Sequence, residues 1–484
     1  MAGRPRKDDS IVIVGAGIFG LSTALHLARR GYRNVTVFDR QDYDTGLYSY
    51  HNGCDAASAD LNKIIRSAYG TQTEYQELSF EAIKHWHAWN EELANGNVPP
   101  GMSSTDKVFY NSGAISINSG EVLPPFEQAT IEAMTKLGHG DTQLATTDPK
   151  QATAAQKLGF NIDQFNAQAR GKPTVGVLDT SGGFAVADKA CRFALHKARA
   201  YGAKFVFGPT VGAFDSLVHA GKDVVGIRTK DGKVHLAKQT IMACGAYTPV
   251  LVPELDGLAE ATAGSVAVFQ IPKTSDLFTR LSAENFPIWM YNMRSGQDGG
   301  LYGFPVDPQG YFKIGYRGTK YTNPQVQPDG KERSVPVTRY TKGDTITQIP
   351  TKAMNTIASF VAEYLPEILE EGHDVAFTRV CWYTDTFDNH FVIDQVPQQP
   401  GLMVVTGGSG HAFKYLPNIG NWVADIIEGV GSDRPAIKAW RWRKKGDSKP
   451  VNVLMEGKKG ARALQNVTLM SQINGRSTKR SALL

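Results

Sequence analysis

The sequence predicts an α/β protein in which a discontinuous nucleotide-binding domain is interleaved with a second domain built on an antiparallel sheet. Two observations point there. A strand, a glycine turn, a helix and a second strand follow one another within the first 39 residues, and similar strand and helix patterns return later between Pro- and Gly-broken insertions. Composition agrees: 484 residues with 41% hydrophobic and 20% charged residues and a mean hydropathy of -0.28 exclude wholesale disorder, a fibre and a membrane bundle. Glycine is in excess at 49 residues, as expected where backbone must turn tightly or approach a ligand closely.

The elements justify this in order. Ile11-Val12-Ile13-Val14 is a short β-branched run, suited to a parallel strand buried on both faces. Gly15-Ala16-Gly17-Ile18-Phe19-Gly20 follows at once, and Leu21 to Arg30 places Leu21, Ala24, Leu25 and Ala28 on one helical face. Val35-Thr36-Val37-Phe38 then ends at Asp39, nineteen residues after Gly20. This is a Rossmann-type dinucleotide fingerprint in its required context. Gly15 makes the turn, Gly17 admits the pyrophosphate, Gly20 lets helix pack on strand, and Asp39 accepts a ribose hydroxyl. Ile18, Phe19 and Arg40 complete the expected contacts. The fingerprint by itself does not separate FAD from NAD.

Farther on, Asp188 to Ala200 has helical periodicity and Lys204-Phe205-Val206-Phe207 reads as a strand. Val224 to Thr229 and His235 to Ala243 alternate like a hairpin that ends at Cys244-Gly245-Ala246. The expected division assigns 10–95, 175–255 and 375–445 to the nucleotide domain, 96–174 and 256–374 to a substrate domain, and 446–484 to a basic C-terminal extension.

Fifty-two Lys+Arg against forty-seven Asp+Glu is too small an excess to imply a nucleic-acid partner. It is local, with twelve basic and two acidic residues from Lys438 onward, which reads as a solvated strap or extension. Cys54, Cys191, Cys244 and Cys381 form no CxxC pair, in keeping with reduced thiols. No apolar run approaches the ~18 residues of a membrane span, and the basic N-terminus does not read as a signal peptide. The terminal Ser-Ala-Leu-Leu is not a Ser-Lys-Leu peroxisomal address. A cytoplasmic monomer that binds neither membrane nor nucleic acid is therefore expected.

Four further strings carry chemistry. They are Asp60-Leu61-Asn62-Lys63-Ile64-Ile65-Arg66-Ser67-Ala68-Tyr69-Gly70, Tyr302-Gly303-Phe304-Pro305 through Lys313-Ile314-Gly315-Tyr316-Arg317, Cys381-Trp382-Tyr383-Thr384-Asp385-Thr386-Phe387-Asp388-Asn389-His390-Phe391, and Gly407-Gly408-Ser409-Gly410-His411-Ala412-Phe413-Lys414. Together with the fingerprint, in this order and over nearly the whole chain, they resemble the monomeric sarcosine oxidase family. In length they are similar to its fungal branch of fructosyl amino acid oxidases (amadoriases).

That resemblance implies a glutathione-reductase-like flavoprotein architecture and FAD, linked through the sulfur of Cys381 to the flavin 8α-methyl. It implies that Lys313, eleven residues after Tyr302, lies over the flavin and activates O2 by fixed charge. Arg66 and Lys414 would clamp a substrate carboxylate, Lys63 would lie near the flavin, and Gly408 and Gly410 would bring backbone amides close to it. Tyr302 and Tyr383 would be aromatic walls or hydroxyl donors. The implied activity is oxidation of the C–N bond of a secondary amine of an amino acid to an imine, with O2 reduced to H2O2.

Alternatives are saccharopine or pipecolate oxidation, fructosyl amino acid oxidation, transfer of electrons to a quinone instead of O2, and an FAD-binding protein without turnover. Arg317 departs from the resemblance: fructosyl amino acid oxidases carry a glutamate there and sarcosine oxidases a histidine. A permanent cation at that position is suited to a second acid on the substrate, to a phenol, or to a protein carboxylate. Asp388 and His390 read as a structural turn, and His85 and His87 point to different helix faces, so no metal site is expected.

Overall fold

The computed structural model describes residues 3–172, 174–339, 341 and 347–473. The local predictions at the N-terminus translate directly into structure. Strand Ser10–Val14 is followed by helix Ile18–Arg29 and strand Asn34–Asp39, and Val12 pairs in parallel with Thr36 on one side and Thr240 on the other. The six-stranded sheet runs Val392–Gln395, Leu402–Thr406, Gln239–Met242, Ser10–Val14, Asn34–Asp39, Lys204–Phe207. It is parallel throughout except for the Val392–Gln395 edge. Helix Ile18–Arg29 packs between helices Ala187–Ala200 and Ile419–Glu428, and a Cβ at Gly420 would overlap the Ser22 carbonyl.

An eight-stranded sheet faces this unit. Its order is Val375–Thr386, Ala259–Gln270, Tyr311–Tyr321, Leu301–Gly303, Ile288–Tyr291, Ala114–Asn118, Val175–Asp179, Gln143–Ala145. Only the Ile288–Tyr291/Ala114–Asn118 pair is parallel. Two strands expected to open segments of the nucleotide domain, Val175–Asp179 and Val375–Thr386, belong instead to this second sheet. An apolar run reads alike in either sheet, and only the hydrogen-bonding neighbours distinguish them. The expected hairpin also divides: Val234–Leu236 pairs with Asp223–Thr229, whereas Gln239–Met242 is fully buried at the centre of the parallel sheet.

The described part of the C-terminal extension is a strap, largely exposed or half-buried, that hydrogen bonds tie to the body. Arg443 makes a bidentate pair with Asp388, Val451 N–H donates to the Phe387 carbonyl, and Met455 N–H to Glu260 Oε2. Leu469–Met470 then pairs with Ile349–Pro350. The Ser-Ala-Leu-Leu terminus lies outside the described residues. No helix among the described residues is long and apolar enough to cross a membrane.

Candidate active site

The fingerprint residues form one continuous turn. Gly15 has φ +103°, and a Cβ at Gly20 would overlap the Gly15 carbonyl, so helix and turn meet backbone to backbone. Ile18 N–H, in the first turn, donates 3.1 Å to Ser58 Oγ. The Asp39 carboxylate accepts from Ala16 N–H at 2.8 Å and Gln41 N–H at 2.9 Å, and Arg40 lies over the Tyr247 ring. Phe19 approaches Gly408 and meets Phe391 edge-on, which joins the fingerprint to the second glycine loop. In that loop Gly407, Ser409 and Gly410 all take positive φ, and Ser409 N–H donates to the Thr384 carbonyl.

Strand Val375–Thr386 directs Arg379, Cys381, Tyr383 and Asp385 to one face by its two-residue period. Strand Tyr311–Tyr321, which pairs with the far side of Ala259–Gln270, brings Lys313 to the same region. Its ammonium is buried, donates 2.7 Å to the Asn62 carbonyl, and lies 3.1 Å from Asp60 Oδ2, which also receives Lys63 at 2.6 Å. Burial pulls Lys313 down to about 8 from the usual lysine range, against the attraction of Asp60. Asp60 itself is held far below the carboxylate range: its burial cost is outweighed by Lys313, Lys63 and Arg379. Cys381 is a buried free thiol within the field of Lys63, Lys313 and Arg379. Tyr302 pairs across the sheet with Gly315, where a Cβ would strike its ring. Of the remaining cysteines Cys54 and Cys191 are buried and Cys244 is half-buried; burial pushes Cys54 up to about 11.

Beside this face lies a cavity of about 490 Å³. Four cations (Arg66, Arg294, Arg317, Lys320) and two carboxylates (Glu127, Asp179) line it, so it carries positive charge. Asp179 is committed to Ser67 and Ser181, and Glu127 to Ser116 with Arg294 at 3.6 Å. Arg66 stacks over Tyr69, whose phenol oxygen accepts Lys414 Nζ at 2.6 Å. The Tyr69 hydroxyl in turn meets His411 Nδ1 at 3.0 Å, and His411 Nε2 donates to the Asn389 carbonyl. That carbonyl fixes the tautomer. Burial, aided by Lys414, drives His411 well below the usual range, so it stays neutral. Burial together with Arg66 and Arg317 also pushes Lys414 well below the lysine range. Among the described residues no carboxylate reaches ion-pair distance of Arg66, Arg317 or Lys414.

Arg317 does not turn to a protein carboxylate. Its Nη2 donates 3.1 Å to the Ser409 carbonyl and its Nη1 3.4 Å to Gly410, while the guanidinium sits 5.4 Å from the Tyr383 ring centre. The structure thus gathers Arg66 and Arg317 at the cavity, with Lys414 buried behind it on the Tyr69 hydroxyl, and Lys63, Lys313, Cys381 and Tyr302 at the adjacent face. Asp388 and His390 stand apart: Asp388 anchors Arg443 and Ser448, and His390 faces Tyr75.

Asp60, Tyr69 and His411 carry no role legible in the sequence, although all three fall within the quoted strings. The Asp60/Lys63 spacing is the one local signal for the first. Arg379, Arg294, Lys320 and Asn452 have no such signal, because their partners are remote in sequence.

Known proteins resemble this chain over most of its length. L-saccharopine oxidase of Schizosaccharomyces pombe is 29% identical over 445 residues, covering 90% of this chain and 93% of its own. Monomeric sarcosine oxidase of Bacillus sp. is 25% identical over 441 residues, covering 88% and 96%. Among solved structures, the fructosyl peptide oxidase from E. terrenum superposes with a TM-score of 0.75 at 27% identity, over 96% of this chain and 98% of that one. The profile of the DAO family, FAD dependent oxidoreductase, matches residues 10–426, and the chain belongs to that family.

Proposed function

We propose that this FAD-dependent oxidoreductase is an amine oxidase acting on a secondary amine of an amino acid, with O2 as electron acceptor. The observation that carries the reading is the pairing of Arg66 and Lys414, without a carboxylate of their own, beside the Lys313–Asp60–Cys381 face. A buried cation pair of this kind is suited to an amino acid carboxylate. The residues also suit FAD. Arg379 Nε and Asn62 Oδ1 are buried without hydrogen-bond partners, which polar groups of a bound flavin would supply.

Gly15, Gly17, Gly20 and the Ile18 amide would hold the pyrophosphate, Asp39 the ribose, and Gly408, Gly410, Lys63 and Tyr302 the ring system, with Cys381 joined to it through sulfur. When bound, FAD takes a hydride equivalent from the carbon beside nitrogen and returns two electrons to O2, giving H2O2 and an imine. Arg66 and Lys414 orient the neutral amine by its carboxylate, so positioning and fixed charge do most of the work. Lys313 holds positive charge where O2 becomes negative. That role speaks for an oxidase rather than a quinone-linked dehydrogenase. The sugar-binding alternative is disfavoured, since Arg317 replaces a carboxylate acceptor with a cationic donor.

The test is acid denaturation of the purified protein. Yellow colour should stay with the polypeptide and leave it in Cys381→Ala. Anaerobic addition of N-methyl amino acids should then bleach the flavin, and air should restore it with one H2O2 per cycle. A flavin that no secondary amine bleaches would favour a binding protein without turnover.

A further inference from the structure

A second group of donors lines the same cavity. Between the pairs Ala263–Tyr321 and Ser265–Tyr316 the register slips, so that residues 317–320 bulge opposite Gly264. On a regular strand Arg317 and Lys320, three apart, would face opposite sides of the sheet; the bulge turns both into the cavity. A Cβ at Gly318 would overlap the Gly296 carbonyl, so the bulge needs its glycine.

Lys320 is held from two sides. Its ammonium donates 3.1 Å to Asp385 Oδ1 and 2.9 Å to Asn452 Oδ1. Asp385 is fully buried and also accepts Thr262 at 2.6 Å. Asn452, from the C-terminal strap, spends its amide hydrogens on the Thr386 carbonyl at 2.7 Å and Asn389 Oδ1 at 2.6 Å, so its oxygen must face Lys320. One of the three ammonium donors is left over toward the cavity. Asp385 contacts Lys320 and acts on Arg317 through space, so two cations share the one negative charge of Asp385. Arg317 cannot leave without orphaning two carbonyls.

We infer that Arg317 and Lys320, set by the bulge and steadied by Asn452 of the strap, form a second anion subsite that takes a further carboxylate of the substrate. The preferred amine would then carry two acids, one on the α-carbon and one on its side chain or N-substituent. This rests on the reading that Arg66 and Lys414 take the first carboxylate. It also gives the C-terminal strap a task in specificity.

The experiment titrates the flavin-loaded protein with butyrate, glutarate and adipate and follows the visible flavin band. The better of the two dicarboxylates should bind about tenfold or more tighter than butyrate, as one extra charge-assisted hydrogen bond warrants. In Lys320→Gln/Asp385→Asn, which removes both charges of the buried pair together, that advantage should fall below about threefold. Asn452→Ala, which keeps both charges, should lower it in part, and serves if the double variant loses its flavin. Dicarboxylates that bind no tighter than butyrate, or an advantage that survives in these variants, would overturn the second subsite alone, provided Arg66→Ala weakens butyrate. Butyrate binding indifferent to Arg66→Ala would overturn the first subsite and the second with it.

Discussion

Asp60 Oδ2 lies 3.1 Å from the buried ammonium of Lys313. The same oxygen receives Lys63 at 2.6 Å, so one carboxylate steadies two cations that would otherwise repel each other out of water. Opposed pulls of burial and Asp60 leave Lys313 titrating at about 8.

A charge with that midpoint gives a pH signature. Lys313 is protonated below about 8 and neutral above it, so reoxidation of the reduced protein by O2 should slow as pH rises through that value. Stopped-flow reoxidation would measure it. Lys313→Met should remove the dependence and slow the step by roughly 100–1,000-fold, the usual loss for one fixed donor at a developing anion. Rapid, pH-dependent reoxidation in that variant would dismiss the role.

Removing the shared carboxylate has a different outcome. In Asp60→Asn the buried ammonium of Lys313 and the half-buried one of Lys63 lose their partner, so the Lys313 midpoint should move to lower pH, toward the neutral amine. Stability should fall by about 3–5 kcal/mol, the typical cost of breaking a buried pair from one side. Urea unfolding of the flavin-loaded protein would measure the loss.

The carboxylate clamp separates binding from chemistry. Arg66→Ala should raise KM by about 10- to 100-fold, from the ~1.5–3 kcal/mol of a hydrogen bond to a charged group. Lys414, driven down by burial and by two arginines, should take up a proton when a carboxylate arrives. Affinity for carboxylates should therefore decline with rising pH, and calorimetry in buffers of different ionisation heat should report the uptake.

Backbone contact at the fingerprint is equally testable. Gly20→Val places side-chain atoms where the Gly15 carbonyl stands. The variant should purify without flavin or not fold at all, whereas Gly31→Ala, in open space, should keep its flavin at some cost in backbone strain. Flavin absorbance per polypeptide distinguishes the two.

What the sequence determined by itself was whatever depends on neighbours along the chain. The turn from Val14 to Gly20 and the acid at Asp39 are legible because a strand, a turn and a helix N-terminus impose residue types within a few positions of one another. Lys313 was legible through the family resemblance, from its place eleven residues after Tyr302. Its partner, Asp60, lies more than 250 residues away, and nothing local names it.

The tertiary structure alone decided which sheet receives Val175–Asp179 and Val375–Thr386, since burial patterns are alike in both. It also turned Arg317 onto the carbonyls of Ser409 and Gly410, and brought Lys320 between Asp385 and a strap residue 132 positions farther on. A bulge and a hydrogen-bonded C-terminal strap set where those charges point. Gly318 is the one local trace of the bulge, and the rest arises from contacts between remote segments.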